Sequence, residues 1–452
     1  MFENFENNLY LTLNNHFIKD CSNSYINLLN TEPNNSLLLY LLSHSLFLKN
    51  DFENADLYFN KAKNMNSNIE FREDFYNIKE VIHLVYKSIC SQDNPYKSES
   101  DEKALNISSV YESTYINISN SYLNNNDLSN TIRICKKGLE KYSESDDLRF
   151  NMSAAFLKSR ELQYAWEGYE TRINLFKHHG LIYKNVPKFD FQQDNARVCV
   201  FSTSASENTI LFARFLPMLK MHGVNIVSKP QKSLVSLFHS SRLDAQIEDV
   251  SESDIDFQIP FMSLASLFKI SHSTMYNNAK YIISDKKLVN YYRYKLLNTP
   301  QSSIGIVWRA NESSAKSIEL DKLVPFFKKI NFAKLYSLQP NVTPQEQEIL
   351  DYYNIDNLGK YYNDFSDVAA LIDNMDYVVG CDTAVTNLSC AMGKKTYVLL
   401  PFVSDWRWGL YEEKTDWYSS AILLRQKNKD DWDEVVSRLT GKLFYFPKPI
   451  SV

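Results

Sequence analysis

One stretch, residues 377–410 (YVVGCDTAVTNLSCAMGKKTYVLLPFVSDWRWGL), limits what this chain can fold into more than any other. Residues 377–380 have the character of a buried strand. Cys381, Asp382 and Thr383 make a turn rich in hydrogen-bond donors, and 384–392 reads as a short helix. Gly393 stops that helix, 396–400 is a second buried strand, and an aromatic-basic loop (Asp405, Trp406, Arg407, Trp408) follows. Strand, polar turn, helix and strand form a βαβ unit. Ligands of such sheets sit beyond the carboxyl ends of the strands, and anions favour helix N-termini. Asp382 and Thr383 stand at that place, so the stretch predicts a phosphate-bearing ligand.

The rest of the composition narrows the chemistry. A chain of 452 residues, 44% hydrophobic, can hold about two or three domains with real cores. The net charge of -5 gives no global basic field for nucleic acid, and the basic residues form no long run. No apolar stretch approaches the ~18 to 20 residues needed to span a bilayer. The acidic, Asn-rich N-terminus is unlike a secretory signal. Six cysteines without CxxC spacing read as reduced thiols of a cytoplasmic protein. There are ten glycines where average usage would give about thirty, with no GxGxxG and no Walker loop. All eight histidines lie at or before His272. The C-terminal third therefore has no His base and no His metal ligand. These absences argue against P-loop chemistry and against a metal, and no cofactor is expected.

The N-terminal third repeats with a period of 34. In 36–65, Ala55, Phe59 and Ala62 share one helical face, and Leu39, Leu42, Ser43 and Leu46 form the facing helix. This matches the tetratricopeptide pattern. One period earlier Phe5, Cys21, Tyr25 and Leu28 fit, with Thr12 a mismatch. Later come Tyr115, Ile118, Ser119, Tyr122, Thr131, Cys135 and Gly138, then Met152, Ser153, Phe156, Ala165 and Tyr169. The block 70–111 loses register; it holds an apolar helix (75–89) and a polar loop (91–102). Stacked helix pairs of this kind present a concave face that usually binds a peptide or protein. An irregular helical bundle is the plainer alternative.

After about residue 176 short β-rich runs appear at 198–202, 224–227 and 258–261, with helical stretches such as 210–221 between them. Beyond Thr299 and Pro300 a second series places strands at 304–308, 334–338, 377–380, 396–400 and 421–424, closed by a helix at 430–439. The expected fold class is α plus α/β. A tetratricopeptide-like helical solenoid (1–175) precedes two Rossmann-like α/β domains (176–298 and 299–452) with a cleft between them.

Several segments then resemble one family in order: IGIVWRANESSAKSIEL (304–320), LYSLQ (335–339), NLGKYYNDFSDVAALIDNMDYVVGCDTAVTNLSCAMGKK (357–395) and LLPFVSDWRW (399–408). They are similar to the tetratricopeptide-linked branch of the lipopolysaccharide heptosyltransferase-like glycosyltransferases, which have the GT-B fold. The family's repeat-to-enzyme junction is matched by Trp166, Tyr169, Glu170 and Arg172. The resemblance covers nearly all of 146–440; it is strong in 300–425 and weak in 180–296.

The resemblance implies roles, and each has a bland counterpart. Asp382 and Thr383, with Ala384 beside them, match the donor-phosphate turn; ordinary helix capping is the counterpart. Asn387 stands where the family commonly has His. Arg309, Lys316 and Ser317 match a loop whose cations face the donor phosphates, so no metal is required; a solvated loop is the counterpart. Gln339, and the turn of Asn357, Leu358 and Gly359, match the region that holds the base or ribose, and read equally as a strand cap and a tight turn. Asp367 reads as a charge at a helix start. Trp406, Arg407 and Trp408 either stack on the base and shape the sugar pocket or anchor a packed loop.

The N-terminal half departs from the family. A Gly-rich segment ending in the general-base Asp is replaced by residues 203–214, with Asn208 at the base position. An amide cannot deprotonate a hydroxyl. Either Glu207 stands in as base, the acceptor is activated otherwise, or the chain is catalytically dead. The resemblance thus implies an inverting, metal-independent glycosyltransferase. It would move a sugar from a CMP-, UDP- or ADP-linked donor to Ser or Thr of a protein acceptor recruited by the repeats. Flagellin and a nonulosonic acid are the acceptor and sugar that analogy with repeat-linked relatives suggests. The alternative is an inactive, chaperone-like binding protein with a degenerate cleft.

Overall fold

The structure, a computed structural model, describes residues 22–48, 51–65, 112–176, 180–191, 195–243, 251–275, 280–296, 301–310 and 316–444. By internal contacts the chain divides into two compact units, Met1–Met152 and Ser153–Val452. Among the described residues no helix is long and apolar enough to cross a membrane.

The first unit is helical. Helices α1 (Ser22–Thr31), α2 (Ser36–Leu48) and α3 (Phe52–Met65) come first, with a short turn between α1 and α2. Ala55, Phe59 and Ala62 are fully buried on one face of α3 against Leu39 and Tyr40 of α2. The small Ser43 lets the helices approach, and its hydroxyl donates to the Ala55 carbonyl at 2.8 Å. The loose first repeat differs in one slot. Leu28 is 50% exposed and its neighbour Leu29 packs on the cluster instead, because one residue turns the face by about 100°. Helices α4 (Glu112–Leu123) and α5 (Leu128–Leu139) form a second hairpin. Tyr115, Ile118, Ser119 and Tyr122 are buried with Thr131, Cys135 and Gly138, as the spacing predicts. Asp127 caps α5 by accepting from the Asn130 amide. Helix α6 (Asp146–Lys158) crosses the unit division. Phe5, Thr12, Cys21, the 75–89 helix and the 91–102 loop lie outside the described residues.

The second unit begins with α7 (Leu162–Glu170), which carries the junction motif. Trp166 Nε1 donates to the Ile270 carbonyl at 2.6 Å. Arg172, 1% exposed, binds Glu170 and Ser263 Oγ, both at 2.6 Å. Burial pushes the Glu170 carboxyl up, but Arg172 and Lys188 outweigh it and hold it below its usual range.

Two parallel sheets follow. Strands β1 (Arg197–Phe201), β2 (Asn225–Lys229) and β3 (Phe257–Pro260) form a three-stranded sheet in the order β2-β1-β3. The helical stretch expected at 210–221 is interrupted. Helix α8 (Ser206–Phe212) ends, Ala213–Phe215 makes a 3₁₀ turn, and α9 (Leu216–Met221) resumes with Pro217 in its first turn. Proline disfavours the helical conformation in the residue before it and lacks the N–H a continuous helix needs.

The second sheet holds β4 (Ser302–Val307), β5 (Ala333–Ser337), β6 (Asp356–Asn357), β7 (Tyr377–Cys381), β8 (Thr396–Leu400) and β9 (Ala421–Arg425). Their order is β6-β5-β4-β7-β8-β9, parallel throughout. The long strands are mostly apolar and mostly buried, as in a parallel sheet covered on both faces. On one face Ile304, Ile306, Val379, Tyr397, Leu399 and Leu424 pack with Val435, Leu439 and Leu443 of α10 (Trp432–Phe444). From β4 the chain winds outward through β5 and β6. It then returns to β7 and winds the other way, so the topological switch point lies between β4 and β7.

Candidate functional site

A cavity of about 540 Å³ opens at that switch point, beyond the carboxyl ends of β4 and β7. Val307, Arg309, Ala310 and Lys316 line it from the β4 side, and Asp382, Thr383, Ala384 and Val385 from the β7 side. Gly380 makes this junction possible: a Cβ there would stand 2.4 Å from Val307 Cγ1 and 2.5 Å from Thr386 Oγ1. Residues Tyr362–Phe365 form another wall, and Ala205, Glu207 and Ser233 face it from the first sheet's half.

The turn after β7 is built as a helix start. Thr383, rather than Asp382, is the N-cap of the helix Ala384–Ala391: its Oγ1 accepts from the Thr386 amide at 3.2 Å. This leaves the buried Asp382 carboxylate for other partners. Its Oδ1 accepts from Asn387 Nδ2 at 3.1 Å. Its Oδ2 lies 2.9 Å from Lys316 Nζ, an ion pair without hydrogen-bond alignment. Burial alone would lower the Lys316 pKa, but Asp382 and then Asp405 outweigh it and hold it raised. A cation, a buried carboxylate and a helix N-terminus thus meet at one wall. Such a wall can bind an anion with hydroxyl groups beside it.

Other expected donor contacts are turned elsewhere. Arg309 touches the cavity, but its guanidinium pairs with Glu346 at 3.0 Å and donates to the Asn341 carbonyl at 2.8 Å. Burial raises the Glu346 pKa, but Arg309, the Thr343 amide and Trp308 outweigh it and hold it lowered. Gln339 is 1% exposed and is not among the cavity's lining residues. Its Oε1 accepts from the Trp308 and Arg309 amides at 3.2 and 2.9 Å, and its Nε2 donates to the Pro340 carbonyl at 3.1 Å. It therefore clamps the ends of β4 and β5. Ser317 Oγ accepts from the Ala310 amide at 3.1 Å. Leu358 is buried. Gly359 allows backbone to meet backbone, since a Cβ there would lie 2.0 Å from the Gln339 carbonyl oxygen. Asn357 Nδ2 donates to Gln347 at 3.0 Å. Asp367 is the helix-start charge expected, reciprocating with Asp364 at the N-terminus of Phe365–Asp373.

The aromatic-basic loop is a packed anchor. Trp406 makes edge contacts with Trp166, Tyr169 and Trp417 at centroid distances of 6.5, 6.1 and 5.2 Å, and lies 6.3 Å from Phe212. Trp408 is fully buried. Arg407, 3% exposed, donates to Asp405 at 2.9 Å, to Asn387 Oδ1 at 3.2 Å and to Asn208 Oδ1. Burial lowers its pKa, but Asp405 and then Asp382 more than reverse the effect. Neither Trp406 nor Arg407 lines the cavity, so base stacking by this loop is replaced by packing.

On the opposite wall the two candidates separate. Glu207 faces the cavity, and Asn208 turns away to Arg407 and Ser204. Sequence reasoning missed Glu346 and Asp364, and it gave Asp405 no role of its own. The first two have a readable signal, the T-x-x-E and D-x-x-D spacing of capping boxes at Thr343 and Asp364. Among the described residues no group of three His, Cys, Asp or Glu side chains gathers as a metal-ligand set.

No family model matches the chain, and no curated protein does. Solved structures to which it is similar include glycosyltransferases. ADP-heptose lipopolysaccharide heptosyltransferase II of E. coli matches at a TM-score of 0.39 and 10% identity, over 55% of this chain and 98% of that one. A glycosyl transferase family 9 protein of Veillonella parvula matches at 0.41 and 11%, over 57% and 92%. A variant of the O-GlcNAc transferase of Thermobaculum terrenum matches at 0.30 and 10%, over 90% and 92%.

Proposed function

We propose that this chain is a glycosyltransferase that takes a sugar from a nucleotide-sugar and transfers it to a hydroxyl of a protein acceptor. The observation that carries the reading is the cavity at the β4/β7 switch point, with Lys316, Asp382 and the Thr383-capped helix start on one wall and Glu207 on the other. Its volume suits a ligand of nucleotide-sugar size. Lys316 and the helix start would hold the donor phosphates and stabilise the charge that develops on the leaving group. Asp382 would orient sugar hydroxyls. Glu207 is the ionisable residue that the first sheet's half contributes to the wall. It would take the acceptor proton as the acceptor oxygen attacks the anomeric carbon and the bond to the donor phosphate breaks. A single displacement of this kind inverts the anomeric centre. The helical hairpins of the first unit would recruit the acceptor, for which flagellin is the candidate drawn from the sequence resemblance.

Calorimetric titration with CMP, UDP and ADP tests the donor half. The reading expects one of them to bind wild type and to lose affinity in Lys316→Ala. Failure of all three to bind rejects it. An inactive binding protein is the second reading, favoured by Asn208 at the expected base position. It predicts nucleotide binding with no transfer by wild type.

A further inference from the structure

Asn208 and Asn387 replace two residues that the resembling family uses differently, and both side chains end on the same guanidinium. An amide presents an acceptor and a donor in one plane, and both amides use both ends. Asn208 Oδ1 accepts from Arg407, and its Nδ2 donates to Ser204 Oγ at 3.2 Å. Asn387 Oδ1 accepts from Arg407 at 3.2 Å and from the Tyr418 hydroxyl at 3.1 Å. Its Nδ2 donates to Asp382 Oδ1 at 3.1 Å and to the Thr383 carbonyl at 2.9 Å. Asp405 takes Arg407 Nε at 2.9 Å and so fixes the plane of the fork.

We propose that Arg407 is a positioning residue that couples the two walls of the cavity. It joins Asn208, in the first turn of α8, to Asn387 and through it to Asp382 and Thr383. Arg407 does not line the cavity; it acts through the two amides. Residues 207 and 208 project about 100° apart on a helix. Fixing Asn208 toward Arg407 therefore aims Glu207 at the cavity. A ligand that settles Asp382 and Thr383 should in turn settle the start of α8. The geometry also explains the amide at 208. Asp382 and Asp405 already face Arg407 and Lys316, two carboxylates against two cations. A third carboxylate would leave this buried group with net negative charge. A lysine at 407 could not replace the planar fork that reaches three acceptors.

The coupling rests on the donor reading, and hydrogen exchange separates the two. The nucleotide among CMP, UDP and ADP that binds is added at saturation, and exchange is followed at amides 206–210. In wild type it should slow them by about tenfold. In Asn208→Ala the slowing should fall below about twofold, while the nucleotide Kd stays within about threefold of wild type. Asn208→Gln keeps an uncharged amide acceptor for Arg407 and should restore the slowing, which a loss of general stability would not do. Equal slowing in wild type and Asn208→Ala, or none in wild type, overturns the coupling and leaves the donor reading standing. A larger Kd change in Asn208→Ala puts the residue in donor binding and also overturns it. Failure of wild type to bind any of the three overturns the donor reading and the coupling with it.

Discussion

Lys316 Nζ lies 2.9 Å from Asp382 Oδ2, joining the loop after β4 to the turn after β7 across the switch point of the second sheet. The two residues are far apart in sequence. The winding of the sheet brings them to one wall, because the strands that precede them, β4 and β7, are hydrogen-bonded neighbours.

Lys316→Ala removes the cation from that wall and leaves Asp382 buried without its partner. A hydrogen bond to a charged group is worth about 1.5–3 kcal/mol, so nucleotide affinity should fall roughly 10- to 100-fold. Calorimetry checks the fall. Its size should shrink as salt rises, as expected for a partly exposed charge.

Glu207→Gln keeps the shape of the opposite wall and removes the base proposed there. Transfer should drop by about 10²–10⁴, with nucleotide binding unchanged. Single-turnover rates beside equilibrium titrations read the two effects separately. Loss of binding with the rate of bound donor preserved would move Glu207 out of the base role.

Much of this was legible in the sequence, for physical reasons. The long strands of the second sheet are largely buried and read as mostly apolar runs; all five begin and end within two residues of expectation. Strand β6 is two residues, Asp356 and Asn357, and carries no apolar signal. Turn chemistry singled out Asp382 and Thr383, the family resemblance Lys316 and Glu207, and all four line the cavity. For Gln339, Trp406 and Arg407 ligand contact and packing stayed equally open, because sequence gives a side chain's chemistry without its direction. Arg309 turns toward Glu346, 37 residues on, and only the fold reveals that partner.

Trp406→Ala tests the correction to the aromatic-basic loop. Packed among Trp166, Tyr169, Phe212 and Trp417, Trp406 should cost about 3 kcal/mol of stability when truncated. Nucleotide affinity should hold. Denaturant midpoints and calorimetry check the two halves, and a stable variant with lost nucleotide binding would restore the stacking role.

Lys158 supplies a pH signature of folding. It is 5% exposed, and burial, aided by Arg425 and opposed by Asp405, lowers its pKa from 10.5 to about 8. Between those values the unfolded chain binds more protons than the folded one, so this group's contribution makes stability rise with pH from about 8 to 10.5. Below pH 8 both states are protonated and the full penalty, roughly 3 kcal/mol, remains. Lys158→Met should therefore raise the melting temperature at pH 7, and the gain should shrink as pH approaches 10.5. A gain that is constant with pH would contradict the assignment.

Intact-mass analysis of flagellin and the other surface proteins tests the central claim most directly. The proteins are taken from cells carrying wild type, Glu207→Gln or no copy of this chain. The account predicts a protein heavier by whole sugar residues with wild type and near-unmodified protein with Glu207→Gln or no copy. Identical masses in all three cells, for every protein measured, would contradict it.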